Sequence, residues 1–334
     1  MRRMGYSRWC SIANCAASPR PFRSTRSPDP KFSAVHRMRP PAERGGPPRI
    51  VYFYLAVIVV TWAANWPMMK LALGDAPPLV FVLLRLIGTI VLLAPALHAM
   101  RVPLLPIPGE RLGLFWIGQL QVAAFLVFAI IGLSIEAAGR AIVLAYTFSL
   151  WAIPIGLLLG VERLGRFHLI GAAIGFAGLV LFMNPALVDW TSARTLLGNA
   201  FLLLSAMTWA LGSCLYRRRI WRTPFWTQTF WQLAVSAPVV VAFAAPQIGG
   251  EPIHWSPALI AILSYNWVVT TALGYFLWAV VLTAMPAAAA GQVLALTPVG
   301  GFLISTAIFG GAVTADVIVA IALIVAGIIL TLRR

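Results

Sequence analysis

Residues 50–73 read IVYFYLAVIVVTWAANWPMMKLAL, an apolar run whose one charge, Lys70, stands near its end. About 20 such residues in a helix cross the roughly 30 Å of hydrocarbon in a bilayer. Inside the run stands Thr61-Trp62-Ala63, and 147 residues later the triplet returns as Thr208-Trp209-Ala210. Leu144-Ala145-Tyr146-Thr147 returns as Leu294-Ala295-Leu296-Thr297 at an offset of 150, and Ala177-Gly178-Leu179 as Ala326-Gly327-Ile328 at 149. Each match alone is weak, because Ala, Leu and Gly are common in membrane helices. Their shared order and spacing mark a five-plus-five duplication.

Working outward, ten apolar spans fall near residues 51–73, 77–99, 112–133, 138–159, 166–183, 195–216, 224–246, 256–281, 287–309 and 313–332. They predict an all-α polytopic membrane protein. A block of five spans that starts on one face ends on the other, so its copy enters inverted. The halves are expected at 50–190 and 191–334, as two inverted five-helix repeats. Many secondary transporters are built this way, with the substrate site between the halves near the bilayer midplane. Sixty per cent of the residues are hydrophobic and 10% charged, against about 25% charged in a soluble domain. The connections are short, and no sizeable soluble domain fits between the spans.

The formal charge of +16 invites a nucleic-acid reading, and its distribution refutes it. With the N-terminus inside, 21 Lys and Arg fall on one face and only Arg140 and Arg194 on the other, while Lys70 and Arg85 lie within spans. That bias is the positive-inside signal, and it predicts a multi-pass protein of the cell membrane with both termini in the cytoplasm. The three cysteines and four histidines are too scattered for a disulfide framework or a metal site, and no cofactor is implied. Residues 1–49, rich in Arg, Pro and Ser, lack a signal-peptide core and read as a disordered basic tail. A start at Met38 would remove eight of the basic residues and leave the charge bias at 13 to 2.

The resemblance to a known family rests on particular residues. Trp62-Ala63-Ala64-Asn65-Trp66 followed by Lys70, then Pro77-Pro78 with Arg85 seven residues on, resemble the opening of the EamA-type transporters of the drug/metabolite transporter superfamily. Arg140 to Thr147, Pro154 and Glu162-Arg163-Leu164 resemble that family's fourth span and its ending, and Pro298 falls at the equivalent site of the ninth. The resemblance covers residues 50–334 and is specific for fold rather than cargo. It implies export of small metabolites such as amino acids. Two positions depart from the pattern: Val161 replaces a Gly, and Gly310-Gly311-Ala312 stands where the family often carries a second Glu. A role for that Glu does not transfer.

No Asp or Glu falls in the middle of a span, which disfavours a carrier that binds cations through a buried carboxylate. Asp75, Glu136, Asp189, Glu251 and Asp316 lie towards the outer face and read as loop charges; Glu136 and Arg140 are spaced to pair. Arg85 lies about eight residues into the second span, roughly 12 Å deep. A charge there faces either a packing partner or a cavity. Lys70 reads as a snorkelling side chain near the outer interface. Asn65, Gln119, Asn266 and Gln292 are amides at membrane depth and must find partners inside the protein. With Trp62, Trp66, Tyr146 and Trp209 they complete the candidate substrate cavity around Arg85. Pro67, Pro154 and Pro298 are the candidate helix breaks and gates. Gly171 and Gly175 form a GxxxG face suited to close packing, within the chain or in a homo-oligomer.

The expected partners are thus a small-molecule substrate and the lipid bilayer. Two rivals stand against a secondary transporter. An intramembrane lipid-modifying enzyme would need a His/Asp/Glu cluster, which is missing from the sequence; a channel would favour a ring of like residues over scattered amides.

Overall fold

The computed structural model describes residues 47–161, 165–183, 191–309 and 314–332. Most of the basic tail with Met38, the Glu162-Arg163-Leu164 motif, Asp189, the Gly310-Gly311-Ala312 departure and the C-terminal arginines lie outside the described residues. We label the helices in chain order: α1 Arg49–Ala72, α2 Pro78–Ala99, α3 Pro108–Ile135, α4 Ala138–Leu158 and α5 Arg166–Met183. The second half repeats them as α6 Ala193–Arg217, α7 Phe225–Gln247, α8 Pro257–Ala284, α9 (Ala287–Leu294 with Leu296–Phe309) and α10 Ala315–Leu332. Among the described residues nine helices are long and apolar enough to cross a membrane, and Arg166–Phe182 adds a shorter apolar one.

The starts follow from local chemistry. Pro77 precedes α2 and Pro224 precedes α7, again 147 residues apart; a proline at a helix start sacrifices only an N–H that has no partner in the first turn. The Ser192 and Ser256 hydroxyls accept from Thr195 N and Leu259 N to cap α6 and α8.

Irregularities repeat too. Both α3 and α8 widen into a π-helix, at Gln119–Ala124 and Asn266–Leu273. Both α4 and α9 break, at Tyr146–Thr147 and at Ala295. Pro67 and Pro154, expected as helix breaks, sit instead inside continuous helices, whereas Pro298 falls in the first turn after the Ala295 break. A proline removes one bond of the ladder, and neighbours then tolerate the freed carbonyl in a membrane. Pro67 frees Ala63 O, and Gly301 of α9 is the residue that lies beside it.

Packing obeys a two-fold exchange of the halves. Helix α1 packs on α8 and α9 as α6 packs on α3 and α4, α2 packs on α7, and α5 on α10. The α5–α10 seam is built of glycines: a Cβ on Gly327 would lie 2.6 Å from Gly171 O and from Gly175 N. The GxxxG face is therefore occupied within the chain.

Candidate functional site

A cleft enclosing about 490 Å³ of empty space, space open to the surroundings included, is lined mainly by the first half and closed by two residues of the second. Helix α1 contributes Trp62, Asn65, Trp66 and Met69, a spacing that puts all four on one face. Helix α2 adds Val82 and Arg85, α3 adds Phe125, Leu126, Ala129 and Ile130, and α4 adds Tyr146. The second half supplies only Trp209 of α6 and Tyr275 of α8.

One wall is aromatic. Trp62 and Trp209 meet edge to face at 5.4 Å between ring centroids, and Phe125 and Tyr275 pack on Trp209 at 4.6 and 5.6 Å. Trp278 and Phe148 close the group behind Trp209 at 5.8 and 6.3 Å. Such pairs add about 0.5–1.5 kcal/mol each beyond burial, so the wall is rigid. Gly274 makes room for Trp62: a Cβ there would lie 2.5 Å from the indole nitrogen.

Backbone carbonyls in the π-helices fix these rings. A widened turn leaves carbonyls without their usual partners, which is one reason such turns recur at functional sites. Trp62 Nε1 donates to Thr270 O at 3.1 Å, and the Tyr275 hydroxyl donates to Gln121 O at 3.0 Å. Gln121 is the counterpart of Thr270 in the first half, 149 residues earlier; there the carbonyl accepts from Tyr275, and Trp209, counterpart of Trp62, does not bond it. Trp209 Nε1 has no hydrogen-bond partner among the described residues, and neither has Asn65 Oδ1. A buried polar group left so costs about 1–3 kcal/mol.

Arg85 is 5% exposed. Its Nε donates to Thr271 Oγ1 at 2.8 Å and one terminal nitrogen approaches Met69 Sδ at 3.5 Å. No carboxylate faces it: among the described residues the one ion pair is Glu136–Arg140, at 2.5 Å. A guanidinium has five donors, and three of Arg85's remain for the cavity. A charge held at membrane depth costs at least about 2.5–3.5 kcal/mol.

Lys70 reaches the end of α3. Its Nζ donates to Leu133 O at 2.6 Å and Glu136 O at 2.9 Å, capping the last carbonyls of α3. Of the amides expected at the cavity, Gln119 instead ties α3 to α7 by donating to Val235 O at 2.8 Å. Asn266 bonds within its own helix, to Ile262 O at 2.9 Å and Thr270 Oγ1 at 3.2 Å. Gln292 lies apart, near Ser149 and Gly175. Trp116, three residues before Gln119, is 56% exposed on the outer surface of the bundle. Thr271 and Tyr275 escaped the sequence reading although two hydroxyls one helical turn apart at membrane depth are a usable signal. Phe125 and Leu126 carry none.

The model of the EamA-like transporter family matches twice, over residues 49–184 and 196–333. The chain belongs to that family. This EamA-like transporter is 25% identical over 290 residues, 83% of its own length and 92% of the relative's, to a Salmonella typhimurium protein named "Probable amino-acid metabolite efflux pump". It is 28% identical to an uncharacterized transporter of Bacillus subtilis, over 73% of this chain and 77% of that one. A crystal structure with 20% identity shares the fold, with a TM-score of 0.69 over 85% of this chain and 96% of the other. The EamA-like chain is thus a multi-pass membrane transporter built from two inverted helical repeats.

Proposed function

We propose that this transporter exports small organic metabolites bearing a carboxylate, such as amino acids, across the cell membrane by alternating access. The observation that carries the reading is Arg85: a guanidinium without an acidic partner, lining a cavity between the repeats and held by Thr271. In a cleft walled by low-dielectric rings its field is focused on whatever anionic group enters. Trp62, Asn65, Trp66, Tyr146 and Trp209 line the cargo site with it. The name of the Salmonella relative supports amino-acid metabolites as cargo and export as direction. The positive-inside bias supports cytoplasmic termini, and then the cavity sits in the outer half of the bundle. The paired breaks at Tyr146–Thr147 and Ala295, with Pro154 and Pro298 on their later segments, are the hinges of the cycle.

The test is transport by Arg85→Gln in liposomes, with a carboxylate-bearing cargo and its neutral amide side by side. The acid is expected to lose about 10- to 100-fold and the amide little, the scale of one charged hydrogen bond. Equal losses would make Arg85 a packing residue, and preferred transport of quaternary ammonium compounds would overturn the charge assignment.

A further inference from the structure

Two polar atoms in the cavity wall take no part in the hydrogen bonding of the described residues. Trp209 is 1% exposed and Asn65 5%, yet Trp209 Nε1 and Asn65 Oδ1 have no partner among the described residues. The comparison with Trp62 shows that this is not forced by position. Trp62 has its carbonyl, Thr270 O, while the equivalent carbonyl for Trp209, Gln121 O, is given to Tyr275. Asn65 is likewise peculiar to one half, since Gly212 stands at its counterpart 147 residues on. The wall therefore holds an unpaired N–H donor and an unpaired amide acceptor in the cavity that Arg85 also lines.

We infer that Trp209 Nε1 and the Asn65 carboxamide form a second recognition point, for a neutral hydrogen-bonding group carried by the same cargo whose carboxylate meets Arg85. The indole donates to an oxygen of that group, and the Asn65 carbonyl accepts from its N–H or O–H. The cargo class is an amino acid or similar carboxylate whose side chain ends in an amide, hydroxyl or carbonyl rather than a hydrocarbon. The aromatic walls alone would favour the opposite order, because they bury apolar surface. A site built to hydrogen-bond discriminates against an analogue that leaves its polar groups unpaired. This inference rests on the carboxylate reading of Arg85.

The experiment uses the full chain in liposomes and two probes of equal shape: L-glutamine, and L-homoleucine, in which an isopropyl group replaces the amide. Transport KM is measured for the unaltered protein, for Asn65→Leu, and for protein with the sulfur isostere of tryptophan at position 209, which keeps the ring but cannot donate. Expected is a KM for glutamine about tenfold or more below that for homoleucine. Each substitution should raise the glutamine KM by about tenfold and change the homoleucine KM by clearly less, so that the preference for glutamine narrows. Membrane abundance and thermal unfolding matching those of the unaltered protein certify that the variants fold. Equal KM values in the unaltered protein, or variants that weaken both probes alike, would overturn the inference. If both probes remain sensitive to Arg85→Gln in that case, the carboxylate reading survives alone. If neither probe is transported, or neither responds to Arg85→Gln, that reading falls and this inference with it.

Discussion

Arg85 in α2 and Gln232 in α7 hold the same place in the two halves, 147 residues apart, and both are 5% exposed. Arg85 lines the cavity and bonds Thr271; Gln232 lies outside it, its backbone carbonyl accepting from Ser236 Oγ at 2.7 Å and Gly118 pressed against that backbone. The counterpart of Asn65 is Gly212, against which Gln121 packs, and that of Tyr146 is Leu296. Eleven of the thirteen cavity residues come from the first half. The duplication has kept helix lengths, π-helices, breaks and pairings, while the residues that line the cavity have diverged. On the proposed reading, a two-fold scaffold would let the bundle switch between two related packings, and an asymmetric wall would give the cargo one orientation in it.

The strongest way to break this comparison is to exchange the pair. Arg85→Gln should lower carboxylate transport about 10- to 100-fold, and adding Gln232→Arg should not restore it. An arginine at 232 would meet Val122, the counterpart of Thr271, and would lack its hydroxyl acceptor. It would also stand where Gly118 leaves no slack, so membrane abundance should drop as well. Recovery of transport by the double variant would show that the halves present equivalent sites and that the asymmetry is incidental.

The scaffold was far more legible than the wall. Hydropathy and the 147–150 offset placed each helix within a few residues, because a membrane forces long apolar runs and a duplication repeats them. The π-helices left no mark in the sequence; they arise where α3 and α8 pack against the rest of the bundle. Prolines misdirected the search for breaks, since Pro154 lies eight residues past Tyr146 and inside an intact helix. Polarity at depth points to Arg85 and Asn65, which line the cavity, and equally to Gln119 and Asn266, which a nearby carbonyl satisfies. Nothing in the sequence separates Leu126 facing the cavity from leucines facing lipid until the rotation of α3 is known.

A smaller effect sharpens the same contrast at Thr271. It holds Arg85 from the second half and is the direct bond between that cation and the α8 π-helix. Thr271→Val keeps the shape and removes the acceptor, so carboxylate KM should rise about five- to tenfold. Thr271→Ser should stay near the unaltered value. A valine variant with unchanged KM would mean that Arg85 is oriented by the cavity walls and that Thr271 serves only packing.

The finest comparison is between the two tryptophans, which share a triplet and a place but differ in one hydrogen bond. Replacing Trp62 with the sulfur isostere removes the donor to Thr270 O and strands a carbonyl in the π-helix. That should cost about 1–3 kcal/mol of stability. The same replacement at Trp209 removes an N–H that had no partner, so stability without cargo should be unchanged or slightly higher. Thermal unfolding of the two proteins in the same detergent reads the difference directly, because ring volume is conserved at both sites. A loss at 209 matching that at 62 would mean that Trp209 Nε1 bonds a carbonyl of the chain after all, and its vacancy for cargo would be gone. Stability lost at 62 alone, with polar-cargo transport lost at 209, would assign one indole to the scaffold and its repeat partner to recognition.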